Sequence, residues 1–162
     1  MSACGRHSGS TFDVGSRGLE AVAKHLSKAT PAETNPLHLA VDAIPLNDPV
    51  TLRCIVTNVS PKAVRLQERA LPCANWSTLQ VRGLTGAGQF LPMRVPVGSV
   101  ISADPPPEIT VTPGETVVRE LKLNDVYGLT ENPRDTDVLL LWSYQHNHSV
   151  STGIALLPRH TP

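Results

Sequence analysis

Two histidines separated by one residue, His146 and His148, have the spacing best suited to metal binding in this chain. Residues i and i+2 of a β-strand project from the same face, so both imidazoles would face one ion. Zinc requires three or four ligands, and Asp137 or His160 would have to complete the set. The chain has no His-Glu-x-x-His or Cys-x-x-Cys motif. We therefore expect a hairpin loop that contains histidines, and we keep a metal-dependent hydrolytic enzyme using His146 and His148 as an alternative hypothesis.

Nucleophilic catalysis requires a serine or cysteine held beside a base. Ser8 lies next to His7, but in a stretch rich in glycine and serine that does not hold side chains in a defined geometry. The sequence contains no Gly-x-Ser-x-Gly motif, phosphate-binding loop or dinucleotide fingerprint. We therefore expect a protein without catalytic residues or a cofactor.

The chain has three cysteines, an odd number that does not form a disulfide framework. Cys54 is expected to point inward from a strand, and Cys73 precedes Trp76. A β-sandwich often packs a tryptophan against a disulfide between its sheets, whereas free cysteines are commonly small buried apolar residues. Residues 1–8 lack the apolar segment of a signal peptide. This favours two buried thiols in a cytoplasmic protein over a bridge in an exported mature fragment.

Three tripeptides match the acceptor pattern for N-linked glycosylation: Asn58-Val59-Ser60, Asn75-Trp76-Ser77 and Asn147-His148-Ser149. Asn and Ser are also frequent in tight turns, because their side chains bond to nearby backbone. Without an export signal, we interpret all three as turns.

The elements that would position these side chains are short strands. From Leu37 to Leu157 the chain alternates with a period of two or runs apolar, between turn sequences such as Asn58-Val59-Ser60-Pro61 and Pro113-Gly114. The pattern predicts an all-β, immunoglobulin-like antiparallel β-sandwich of about eight or nine strands with a short N-terminal helix. Its expected inner-face residues are Leu39, Val41, Leu52, Cys54, Val56, Leu66, Leu79, Val81, Leu139, Leu141 and Ala155.

The chain divides into a polar N-terminal segment, residues 1–35, and a β-sandwich domain, residues 36–162. In the first segment Leu19, Val22, Ala23 and Leu26 recur at helical spacing and predict one apolar stripe. So short a helix needs a surface to pack on. We expect that surface to be the sandwich, with a partner protein as the alternative.

Composition excludes several partners. The 14 basic and 14 acidic residues give a net charge of zero, and no basic stripe is present to bind nucleic acid. No run of 18 apolar residues predicts a membrane span. The partner we expect is therefore another protein.

The segment from Pro92 to Pro107 carries five prolines among its apolar residues. Proline removes a ladder hydrogen bond, so this segment is expected at a sheet edge or arching over one end of the sandwich. Its apolar residues either cover the core or contact a partner. The candidate partner-binding residues are Met93, Val95, Val97, Val100 and Ile101.

Three stretches, Val56–Ser60, Ile109–Glu115 and Leu121–Leu129 with its Asp125-Val126-Tyr127 corner, precede the apolar strand near residue 140. Their order resembles small bacterial and fungal immunoglobulin-like domains, as in the sandwich pro-domains of deuterolysin-type metallopeptidases and in intracellular proteinase inhibitors. The resemblance implies a sandwich scaffold and a peptidase as partner. It assigns no binding residues, and no peptidase domain follows the matching stretches.

These observations lead to one expected function and two alternatives. We expect a non-enzymatic protein-binding module, of the peptidase-inhibitor or immunity type, that binds through loops or an edge strand. The alternatives are the metal-dependent enzyme described above and a structural subunit whose edge strand pairs with a partner's sheet. The sequence leaves the oligomeric state open.

Overall fold

The computed structural model describes residues 15–44, 51–74, 78–91, 107–122 and 137–159. Within these ranges the chain forms one α-helix, eight β-strands and two short 3-10 turns, Ala32–Thr34 and Glu68–Ala70. The helix is α1 (Gly15–Leu26), and the strands are β1 (Leu37–Ile44), β2 (Thr51–Asn58), β3 (Val64–Gln67), β4 (Leu79–Thr85), β5 (Glu108–Val111), β6 (Thr116–Lys122), β7 (Val138–His146) and β8 (Ser149–Leu157).

The strands form three antiparallel sheets, with the orders β1-β2-β6, β3-β5 and β4-β7-β8. Alternating residues of β1 and β2 point into a core that they share with β4, β7 and β8, so the two larger sheets pack face to face. The prediction of an all-β sandwich with a short N-terminal helix is confirmed. No helix among the described residues has the length and apolar character needed to cross a membrane.

Most of the predicted inner-face residues lie in the main core. Leu39, Val41, Leu52, Cys54, Val56, Leu79, Val81 and Ala155 are all there. Leu66 is buried as well, but in a separate cluster with Leu71 and Val111 beside the small β3-β5 sheet.

For β7, the predicted inward-facing residues were wrong, because the alternation is shifted by one residue along the strand. Leu139 and Leu141 are buried on the outer face of the sheet, together with Leu84 of β4 and Val22 of α1. The residues of β7 that enter the main core are Val138, Leu140, Trp142 and Tyr144. The strand is apolar on both faces because α1 covers the outer one. Its sequence therefore does not alternate and does not show which residues face the core.

The helix packs on the sandwich as expected, but with a different face. Of the four stripe residues only Val22 packs against the sheet, while Leu19 and Leu26 are exposed. The contact face contains Gly18, which is buried, and His25, whose Nε2–H donates to the carbonyl of Trp142 at 2.8 Å. Glycine allows the helix backbone to lie close to the sheet. The histidine forms a hydrogen bond with a backbone carbonyl, which a leucine side chain cannot do.

Cys54 of β2 and Cys73 form a disulfide bond across 19 residues of sequence. Both half-cystines are buried. The expectation of two buried thiols was therefore wrong, while their burial was predicted correctly. The bridge anchors the segment after the Glu68–Ala70 turn to the core, where the Tyr144 hydroxyl also donates to the carbonyl of Ala70 at 3.0 Å.

Asn58 at the end of β2 is fully buried. Its Nδ2 donates to the carbonyls of Lys62 and Val111, each at 2.8 Å, and its Oδ1 accepts from the backbone N–H and the hydroxyl of Ser60. The predicted turn at Asn58–Ser60 is confirmed. The same amide also binds β5, so it connects two sheets.

Candidate functional site

Strand β8 forms one edge of the β4-β7-β8 sheet and spans nine residues. Near its start, the carbonyl of Val150 accepts from the Thr30 N–H at 2.8 Å, and the Val150 N–H donates to the Thr30 hydroxyl at 2.8 Å. Both backbone groups of Val150 therefore point away from β7. Since backbone direction alternates along a strand, those of Thr152, Ile154 and Leu156 point the same way.

These three residues, Thr152, Ile154 and Leu156, are called the β8 edge below. Their outward N–H and C=O groups have no hydrogen-bond partner within the described ranges. A row of such groups is a template on which another strand can pair. Thr30 ends this row on one side, and Pro158, which lacks an N–H, follows the strand on the other.

The side chains along β8 are unusual for an edge. Of the described strands at sheet edges, β8 alone has no ionisable side chain. Ile154 and Leu156 are 46% and 42% exposed on the outer face. Proteins commonly protect edges with lysine, proline or a bulge, and β8 has neither a lysine nor a proline among its nine residues.

Gly153 allows β8 to lie close to its neighbour. It pairs with Trp142 of β7, and a Cβ at this position would overlap the indole ring. A glycine in a strand often marks such a close approach. The strand is therefore held closely on its β7 side, and β1 of the other large sheet approaches its far side without a backbone hydrogen bond among the described residues.

A cleft of about 340 Å³ lies between β1 and β8 at the start of the β8 edge. Its lining includes Leu37 and Leu39 of β1, Trp142, and Ser151, whose hydroxyl accepts from Asn35 Nδ2 at 2.9 Å. The Nε1–H of Trp142 is buried, and no acceptor for it lies among the residues described.

The two histidines of the suggested metal site lie at the tight β7–β8 turn. His146 is the last residue of β7 and is buried, whereas His148 is exposed in the turn beside Asn147. Asp137 precedes the first residue of the same strand, roughly 30 Å away for nine residues at about 3.3 Å each, so it does not complete a site with His146. His160 lies outside the described residues. The described ranges contain no group of three or more metal-ligating side chains.

His146 is instead a buried structural side chain. Its ring stacks near Tyr144, with centroids 6.5 Å apart, and its Nε2 lies 3.2 Å from Asn147 Nδ2. An amide nitrogen only donates, so Nε2 accepts, which requires the neutral ring. Burial also lowers the pKa of His146 from its usual value.

We expect the free energy of unfolding to fall as pH drops below about 6.5, because the unfolded chain protonates His146 more readily than the native one. His146→Gln should flatten this dependence between about pH 7 and pH 5, measured by urea unfolding at several pH values. His148→Gln, in the exposed part of the same turn, is the control and should keep the slope. An unchanged slope in His146→Gln would contradict the assignment.

The candidate partner-binding residues Met93, Val95, Val97, Val100 and Ile101 lie outside the described residues, as do Trp76, Asn75 and Tyr127. The sequence predicts binding through loops or an edge strand without indicating which strand is involved. The available signal was the stretch from Ser149 to Leu157, which has no charge and no proline.

No protein-family model matches the chain. No curated protein matches it at a significant level.

Proposed function

We propose that this chain is a non-enzymatic protein-binding module that binds an extended segment of its partner by strand addition at the β8 edge. The observation that carries the proposal is the combination of outward backbone groups at Thr152, Ile154 and Leu156 with an uncharged strand. Main-chain hydrogen bonds would supply affinity, and alternate side chains of the partner would supply specificity.

Side chains on the two faces of an added strand would meet different surroundings. On the outer face they would lie beside Ile154 and Leu156, and near α1, where the Thr152 hydroxyl lies 3.4 Å from the carbonyl of Leu26. On the inner face they would reach the cleft beside Trp142. This arrangement favours partner segments with apolar residues on alternate positions.

The disulfide bond bears on the compartment in which this function would take place. Disulfides persist in oxidising compartments and are rare in the reducing cytosol. The Cys54–Cys73 bridge therefore favours an exported protein over a cytoplasmic one. The resemblance implies a peptidase as the partner class.

Panning a random peptide library against the purified protein tests the proposal. Selected peptides should perturb the backbone amide resonances of Thr152, Ile154 and Leu156 in NMR spectra. Ile154→Lys should weaken peptide binding by at least about tenfold, roughly 1.4 kcal/mol, since it places a charge on the edge. Val118→Lys is the matched control, because Val118 lies on the edge strand β6 and is 47% exposed. Peptides that perturb other surfaces, or that bind both variants equally, would contradict the proposal.

A further inference from the structure

Three tripeptides of this chain match the acceptor pattern for N-linked glycosylation: Asn58-Val59-Ser60, Asn75-Trp76-Ser77 and Asn147-His148-Ser149. Their interpretation as turns alone depended on a cytoplasmic location. The Cys54–Cys73 bridge favours an exported protein instead, and this acceptor pattern is used in secreted proteins. Burial and hydrogen bonding then decide which asparagine can carry a glycan.

Asn58 cannot carry a glycan in the folded protein. Its side chain is fully buried, and its Nδ2 donates to the carbonyls of Lys62 and Val111. A sugar on Nδ2 would replace one of these two donor hydrogens. It would also place a bulky polar group in an interior where side chains are close-packed. Asn75 lies outside the described residues.

Asn147 has the opposite surroundings. Because His146 pairs with Ser149, Asn147 and His148 form the two-residue turn between β7 and β8, and both are exposed. Asn147 has a φ of 52°, in the left-handed region where asparagine is enriched among non-glycine residues. A group attached to its side chain therefore meets solvent at the tip of a hairpin rather than the packed interior.

The hydrogen bonding of Asn147 is compatible with a glycan. Its Nδ2 donates to His146 Nε2 at 3.2 Å, and this contact uses one of the two Nδ2 hydrogens. Attachment of a sugar replaces one hydrogen and keeps the other. The contact with the neutral His146 ring therefore does not compete with the modification, in contrast to the two carbonyl contacts of Asn58.

We propose that Asn147 is a site of N-linked glycosylation. The donor class is an oligosaccharide joined to a lipid through a diphosphate. In the transfer, the bond between C1 of the first sugar and the diphosphate oxygen breaks and a bond from C1 to Asn147 Nδ2 forms. Nδ2 loses one proton, and the lipid diphosphate leaves. The modification is separate from the proposed function, with which it shares only the exported setting.

Mass spectrometry of the protein purified from the cells that naturally produce it tests this site. Peptide N-glycosidase hydrolyses the bond between a glycan-bearing Nδ2 and Cγ, which converts that asparagine to aspartate. In heavy-oxygen water the new carboxylate carries the heavy isotope. The peptide that contains Asn147 should be labelled, and the peptide that contains Asn58 should not. A sample without the enzyme corrects for spontaneous deamidation.

Variants secreted from a glycosylating cell line supply the matched controls, each in an Asn75→Gln background so that the third acceptor does not contribute. Asn147→Gln and Ser149→Ala should each lose the mass of one glycan, because each removes one required group of the acceptor pattern. Ser149→Thr keeps the hydroxyl and should retain the glycan. Circular dichroism shows whether each variant is folded.

An unlabelled Asn147 overturns the inference, whether or not Asn75 is labelled. A label on Asn58 in the folded protein also overturns it, because the choice of Asn147 depends on the burial of Asn58. Neither result bears on peptide binding at the β8 edge, which the Ile154 and Val118 variants measure. The two proposals therefore fail separately.

Discussion

Replacing Asn58 with aspartate is expected to lower the free energy of unfolding by about 3–5 kcal/mol. The Asn58 amide is fully buried and uses both N–H donors and both lone pairs of its oxygen. Aspartate keeps the acceptor for Ser60 but has no donor for the carbonyls of Lys62 and Val111. It would place a carboxylate against two carbonyl oxygens in the interior, where an unpaired charge is most costly.

Urea unfolding of Asn58→Asp and of Gln80→Glu makes the comparison. Gln80 also carries a side-chain amide, but it is exposed on β4. Its substitution should change stability by less than about 0.5 kcal/mol. Similar losses in the two variants would mean that the Asn58 network does not connect the sheets.

Removing the Cys54–Cys73 bridge should destabilise the protein by about 3 kcal/mol, the value expected when a loop of roughly this length loses its cross-link. The bridge closes a separation of 19 residues. It also holds Cys73, whose φ of 62° lies in the left-handed region that non-glycine residues rarely adopt. The double variant Cys54→Ala, Cys73→Ala removes the cross-link and leaves no unpaired thiol at either site.

The measurement is urea unfolding with and without a reducing agent. The unmodified protein should lose stability on reduction, while the double variant should be less stable from the start and insensitive to the reductant. Cys4→Ala is the control and should behave like the unmodified protein. Alkylation of the unfolded, unreduced protein should label one of the three cysteines. Three labelled cysteines would show that the bridge does not form.

Where apolar residues recur at every second position, the sequence predicted the strands and their buried faces correctly. The alternation of Leu37, Leu39 and Val41, and of Leu52, Cys54 and Val56, identified two strands and their inward faces. The turn at Pro113-Gly114 is also confirmed, with Gly114 at a φ of 78° that glycine adopts readily. These features depend on local chemistry, so neighbouring residues are sufficient to predict them.

The predictions that failed are those that depend on what lies on the far side of an element. In β7 the apolar run has no alternation, and only the position of α1 over Leu139 and Leu141 determines which face is outer. In α1 the choice between the leucine stripe and the Gly18–His25 face depended on the Trp142 carbonyl, which lies 117 residues from His25 in the sequence. The spacing of apolar residues within one element does not show which distant residues pack against that element.

The candidate site shows the same division between local pattern and tertiary context. The sequence by itself determined that Ser149–Leu157 has neither charge nor proline, which is sufficient for a strand but says nothing of its place in a sheet. Only the tertiary structure decided that β8 is the last strand of its sheet among the described residues, and that Thr30 binds the backbone of Val150. The composition of a strand is local, whereas its edge position is decided by which other strands pair with it across long separations in the chain.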